Sequence, residues 1–160
     1  MFRMRETVRI DRPPAEVWAM LTDFPNVPAW EAGVLEVRQT SPGRPGLGTT
    51  FVARRVYGRR VSTVDCRIVD WQDDRSATME VVGGPMGRAT TCYAVEPVGD
   101  HGTRVTFSAE GELPLFMVWL KPFIALMGRR LIRSNLATLA RLLDEAASRP
   151  NAVDGDAEST

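Results

Sequence analysis

The side chains of this sequence that can do chemistry are polar groups at positions where apolar ones are expected. Asn135 falls on the apolar stripe of a C-terminal helix, turning to the same side as Ile132, Leu136, Leu139 and Leu143 at about 100° per residue. Arg55, Ser62, Thr91 and Tyr93 fall on inward positions of alternating segments. A guanidinium, a phenol, an amide and two hydroxyls can polarise a carbonyl, donate a proton and hold oxygen atoms. Each also has an ordinary reading. Arg55 can snorkel to a rim, Tyr93 can be a core aromatic with its hydroxyl on backbone, and Asn135 can bond a neighbouring carbonyl. Gly128, on the same helix, gives up about 1 kcal/mol of helix propensity relative to alanine. It either leaves room for a ligand or lets a strand approach closely. An unpartnered buried amide costs about 1–3 kcal/mol, and a helix bordering an internal cavity, where ligand or water meets Asn135, accounts for both residues.

Other chemistries find little support. His101 sits in an Asp100-His101-Gly102 turn and is expected to be solvated, which argues against a Ser-His-Asp arrangement or a histidine-rich metal site. Asp65, Glu80, Glu96, Glu110 and Glu112 all have outward strand parity, so no inward general base is expected. Cys66 and Cys92 lie on separate strands with opposite parity, which argues against a disulfide between them, and two thiols alone make no metal set. No cofactor and no metal are expected. The loop Gly43 to Gly48 lacks the Gly-Lys-Ser/Thr ending of a phosphate-binding loop and reads as a flexible rim at a cavity entrance. Twenty basic and twenty acidic residues give zero formal charge, so a nucleic-acid partner is not expected. The charged, alternating N-terminus is no signal peptide. The most apolar run, Leu113 to Met127, is broken by Lys121-Pro122 and falls short of the roughly 20 residues that span a bilayer. The expected compartment is the cytoplasm.

The elements that must position these residues follow from periodicity. Phe2 to Ile10 alternates and reads as a strand, stopped by Asp11-Arg12-Pro13-Pro14, whose prolines suit the first turn of a helix carrying Val17, Trp18, Met20 and Leu21. Thr22 to Ala29, with Pro25 and Pro28, is a turn-rich connection to Trp30. Strands follow at Val34 to Gln39, Thr49 to Tyr57, Arg60 to Trp71, Ser76 to Val82, Arg88 to Glu96 and Thr103 to Glu112, separated by turn sequences. A tight Gly58-Arg59 turn pairs Tyr57 with Arg60, and hence Arg55 with Ser62, Ala53 with Val64 and Phe51 with Cys66 on one inward face. Ala77, Met79 and Val81, then Ala89, Thr91, Tyr93 and Val95, then Val105, Phe107, Ala109 and Gly111 continue that face. So many small or polar inward residues favour a cavity, lined by Trp30, Phe51, Met79, Phe107 and Trp119. One long helix is expected from Leu113 to Ala147, with Pro122 kinking it. The apolar Leu115 to Leu120 suits a hinged lid, a subunit contact (a homodimer through 115–127) or a membrane contact, the first two being preferred. With 160 residues and 44% hydrophobic composition, one domain over residues 1–147 is expected. The acidic tail 148–160 is expected to be disordered.

The segment Ile10-Asp11-Arg12-Pro13-Pro14-Ala15-Glu16-Val17-Trp18, followed by Leu21, Asp23 and Trp30, resembles the opening of the SRPBCC superfamily. The likeness continues through Gly46-Leu47-Gly48, Tyr93-Ala94-Val95-Glu96-Pro97 and Gly102-Thr103-Arg104-Val105-Thr106. That superfamily includes START lipid-transfer domains, pollen-allergen-like proteins and bacterial polyketide cyclase/dehydrase-like proteins. The resemblance implies an α+β helix-grip fold, a curved antiparallel sheet of about seven strands round the last helix, with two short helices after the first strand. It also implies a mostly apolar tunnel for a lipid, polyketide or aromatic molecule. If such a protein is a cyclase or dehydratase, Arg55 stabilises an enolate, Tyr93 donates a proton, and Asn135 with Ser62 or Thr91 holds carbonyl oxygens. Missing inward acids favour binding over catalysis.

Overall fold

In the computed structural model, which describes residues 1–85 and 87–148, one sheet and one helix enclose the core. Seven strands, β1 (Phe2–Ile10), β2 (Val34–Gln39), β3 (Thr50–Tyr57), β4 (Arg60–Gln72), β5 (Ser76–Val82), β6 (Arg88–Val98) and β7 (Gly102–Gly111), form a single antiparallel sheet. Their order is β1-β7-β6-β5-β4-β3-β2, so each strand from β2 to β6 pairs with its successor and β1 closes on β7. Helix α1 (Pro14–Leu21) and a short 3₁₀ helix (Phe24–Ala29) follow β1, and α2 (Lys121–Ser148) closes the chain. This is the helix-grip fold.

The register over β3 and β4 is the one that the Gly58-Arg59 turn dictates, with Tyr57 opposite Arg60, Arg55 opposite Ser62 and Phe51 opposite Cys66. The inward face runs on across Met79–Thr91–Ala109 and Ala77–Tyr93–Phe107. Two bulges interrupt the alternation, one in β2 between Val34 and Glu36 and one in β4 between Ile68 and Asp70; the second turns Asp70 outward opposite Thr78 and brings Trp71 inward opposite Ala77. Trp71 then stacks edge-on against Trp18 of α1, 5.1 Å between ring centres. Ile10, Val17, Trp18, Ile68, Val95, Val105, Leu136, Leu139 and Leu143 build the core beneath the C-terminal half of α2.

The C-terminal element differs from the single helix expected over 113–147. Leu115–Leu120 is a separate 3₁₀ helix, and α2 begins only at Lys121. Pro122 therefore starts a helix instead of kinking one, because its missing N–H is no loss in a first turn. None of the residues of the 3₁₀ helix is buried, and the first buried residue of α2 is Ile132. The tail expected to be disordered lies, apart from Ser148, outside the described residues.

Candidate active or ligand-binding site

A small cavity of about 50 Å³ lies between the first 3₁₀ helix and strands β2 to β6. Its walls are mainly apolar, with Leu21, Phe24, Val27, Trp30, Phe51 and Met79 among them, and Glu31, Arg55 and Tyr93 are its polar lining. Arg55 Nη2 donates to Glu31 Oε1 at 2.6 Å, and both side chains are largely withdrawn from solvent. Burial works against the Arg55 charge, but the Glu31 carboxylate, its hydrogen bond and the nearby Tyr57 and Tyr93 together more than offset it, so the guanidinium stays ionised. Burial, with the Glu31 charge adding to it, drives the Tyr93 hydroxyl well above its ordinary pKa. That group is a proton donor, not a base, at any neutral pH. The Cys66 thiol is pushed up to about 11, chiefly by burial, and is correspondingly unreactive.

The aromatic rings are placed by the sheet register. Tyr93 lies between Phe107, 4.8 Å away, and Trp30, 6.0 Å away and edge-on. Trp30 is buried, and among the described residues its indole N–H has no hydrogen-bond partner. An orphaned donor of that kind costs about 1–3 kcal/mol.

Of the residues proposed from sequence, Trp30, Phe51, Arg55, Met79 and Tyr93 line this cavity. Phe107 stands behind Tyr93. Ser62 pairs with Arg55 and Thr91 with Met79 on the inward face, but neither belongs to the lining. Asn135 is buried, and its Oδ1 accepts from the backbone N–H of Ala32 at 3.1 Å. The amide thus fastens the loop carrying Trp30 and Glu31, from outside the cavity. Gly128 leaves no space for a ligand, because a Cβ there would meet the Met4 Sδ at 2.7 Å. Its lack of a side chain admits the thioether of β1. Trp119 is 90% exposed and lines nothing.

Two inward acids went unforeseen. Glu31 follows Trp30 in a loop, where strand parity says nothing about direction. Glu6 lies in β1 opposite Phe107, is buried, and accepts from Arg133 Nε at 2.8 Å while Arg129 stands at 3.5 Å. The alternation of β1 had already placed Glu6 in step with Met4, Val8 and Ile10, so its inward direction was open to reading. The 3₁₀ helix Leu115–Leu120 packs chiefly against α2, and none of its residues lines the small cavity. No helix among the described residues is long and apolar enough to cross a membrane, and they contain no cluster of three or more metal-ligating side chains.

Solved structures share this architecture. The protein TTHA0849 from Thermus thermophilus superposes with a TM-score of 0.77 at 21% identity, covering 92% of this chain and 100% of that one. The Zhui aromatase/cyclase from Streptomyces sp. R1128 gives 0.77 at 12% identity, with 95% and 99% covered. The di-domain aromatase/cyclase BexL of the BE-7585A biosynthetic pathway gives 0.70 at 16% identity, with 93% of this chain and 48% of that one covered. Comparison with curated protein sequences gives no match. The family described as polyketide cyclase / dehydrase and lipid transport matches residues 1–144, and the chain belongs to that family.

Proposed function

We propose that the protein binds a hydrophobic small molecule, of the polyketide, lipid or aromatic class, with its oxygen-bearing end at Arg55 and Tyr93. The observation that carries this reading is the charged pair Glu31–Arg55 set in an otherwise apolar cavity wall beside a protonated phenol. Burying charges costs stability that an apolar wall would not forfeit, so the pair is better explained by a ligand it recognises. Family membership supports the same class of ligand. The space of about 50 Å³ holds a few waters and is far below the roughly 300–1,000 Å³ of ordinary ligand sites. Binding therefore requires the interior to widen. Met79, a flexible wall residue, and the first half of α2, in which no residue before Ile132 is buried, are the parts able to yield.

Native mass spectrometry of the purified chain should show a retained small molecule, or an added apolar ketone, at one per protein. Ala53→Val, which narrows the cavity, should abolish that species while the circular dichroism spectrum stays unchanged. Equal binding by the folded variant would remove the cavity from consideration.

A second reading, a cyclase or dehydratase closing rings by aldol chemistry, is favoured by two donors facing one cavity. Arg55 would polarise a carbonyl and Tyr93 would deliver a proton to oxygen. Asn135 would act by holding the Trp30–Glu31 loop. Tyr93→Phe then abolishes turnover of a poly-ketone substrate while sparing its affinity. In a carrier the same substitution weakens affinity, and no product forms with either protein.

A further inference from the structure

The segment between β7 and Ile132 presents the most exposed apolar surface of the molecule. Leu115, Phe116 and Trp119 are 89%, 79% and 90% exposed, and Phe123 adds 61% on the first turn of α2. Such a surface is abnormal for a protein surrounded by water alone.

Its charge setting is equally one-sided. From Leu113 to Leu143 the chain carries Lys121, Arg129, Arg130, Arg133 and Arg141 and not one carboxylate. The strand register brings the β3–β4 turn, with Arg59 and Arg60, to the end of the sheet where β5 turns into β6, where β7 ends and where β1 begins. The 3₁₀ helix leaves from that end. Of the carboxylates nearby, Glu6 is taken by Arg129 and Arg133, Glu80 by Arg88 and Glu110 by Arg3. Asp65 and Glu112 remain against Arg59, Arg60, Lys121 and Arg130, which form no ion pair among the described residues. The opposite end mixes signs, with Asp73, Asp74 and Arg75 in the β4–β5 turn, Asp100 in the β6–β7 turn and Arg44 in the β2–β3 connection. A chain with zero net charge thus has, among the described residues, four unpaired cations against two free carboxylates at the end from which its bare aromatic and aliphatic side chains leave.

We propose that this end docks on an anionic lipid bilayer, with Phe116 and Trp119 entering the headgroup boundary and Lys121, Arg59, Arg60 and Arg130 meeting lipid phosphates and carboxylates. Apolar side chains ringed by cations are what such a surface selects, and tryptophan is at home at that boundary. A second copy of this chain fits less well, because it would set the same cations face to face.

The test uses the full chain and sedimentation with vesicles of phosphatidylcholine alone or with about one third phosphatidylserine. Binding should require the anionic lipid and fall steeply when salt is raised. Lys121→Glu with Arg130→Glu should weaken it about tenfold or more. Trp119→Ser should weaken it as well, and brominated lipid should quench the wild-type fluorescence but not that of Trp119→Phe. All these positions are exposed, so unchanged melting temperatures will show that the variants fold. Failure to bind anionic vesicles, binding indifferent to lipid charge and salt, or a dimer in which Trp119 becomes buried and vesicles are ignored would each overturn the proposal. Loss of the internal ligand in Ala53→Val leaves vesicle binding intact, so the two readings fail separately.

Discussion

Arg55 and Glu31 hold each other in the wall of a cavity that is otherwise apolar, and the consequence of separating them is asymmetric. Arg55→Gln leaves a carboxylate without its partner and should lower stability by about 1–3 kcal/mol, read as a shift of the urea midpoint. The double variant Arg55→Gln with Glu31→Gln should recover part of that loss, since two neutral amides can still pair. Cys66 sets a pH dependence. Its thiol is raised from 9.0 to about 11 in the folded chain, so above pH 9 the unfolded chain gives up a proton that the folded one keeps. Stability is thus fully present below pH 9 and declines towards pH 11, with Tyr93 deepening the decline above its own ordinary value of 10.0. Denaturation curves over that range should show the fall, and Cys66→Ala should make it shallower.

At the level of elements, α2 is two helices in function. Its C-terminal half is a core plug through Leu136, Leu139 and Leu143, and through Asn135 it also secures the loop after the first 3₁₀ helix. Asn135→Ala should cost about 1–3 kcal/mol by orphaning the Ala32 N–H, and should redden Trp30 emission as the loop loosens. The other half stands away from the core and is tied to β1 by Glu6 and by the Met4–Gly128 contact. Gly128→Ala gains up to about 1 kcal/mol of helix propensity. The obstructing atoms are the far end of a flexible methionine, so Met4 can swing aside and the variant should melt at the same temperature or higher.

For the whole molecule, a small internal cavity and a bare apolar end are the two places where a partner is proposed. A ligand that binds only the folded chain should stabilise it by about 2.7 kcal/mol at a hundredfold excess over Kd, and its melting temperature should rise with the logarithm of ligand concentration. Differential scanning calorimetry with and without an apolar ketone reads that shift.

What the sequence determined by itself was whatever repeats locally. Alternation and turn chemistry specify seven strands and the pairing of β3 with β4, because a one-residue slip would turn Arg55 and Phe51 over together. The same alternation brought Tyr93, Met79 and Phe51 to one face. Only the tertiary structure decided what lies outside any period. Glu31 is in a loop, the bulge beyond Ile68 resets parity, and the close approach of Met4 to Gly128 joins residues far apart in the chain. Asn135 shows the division most plainly. Its place on the apolar stripe fixed that it would be buried and need a partner, but whether that partner was a ligand or the Ala32 N–H depended on how a distant loop folds back, which no local pattern encodes.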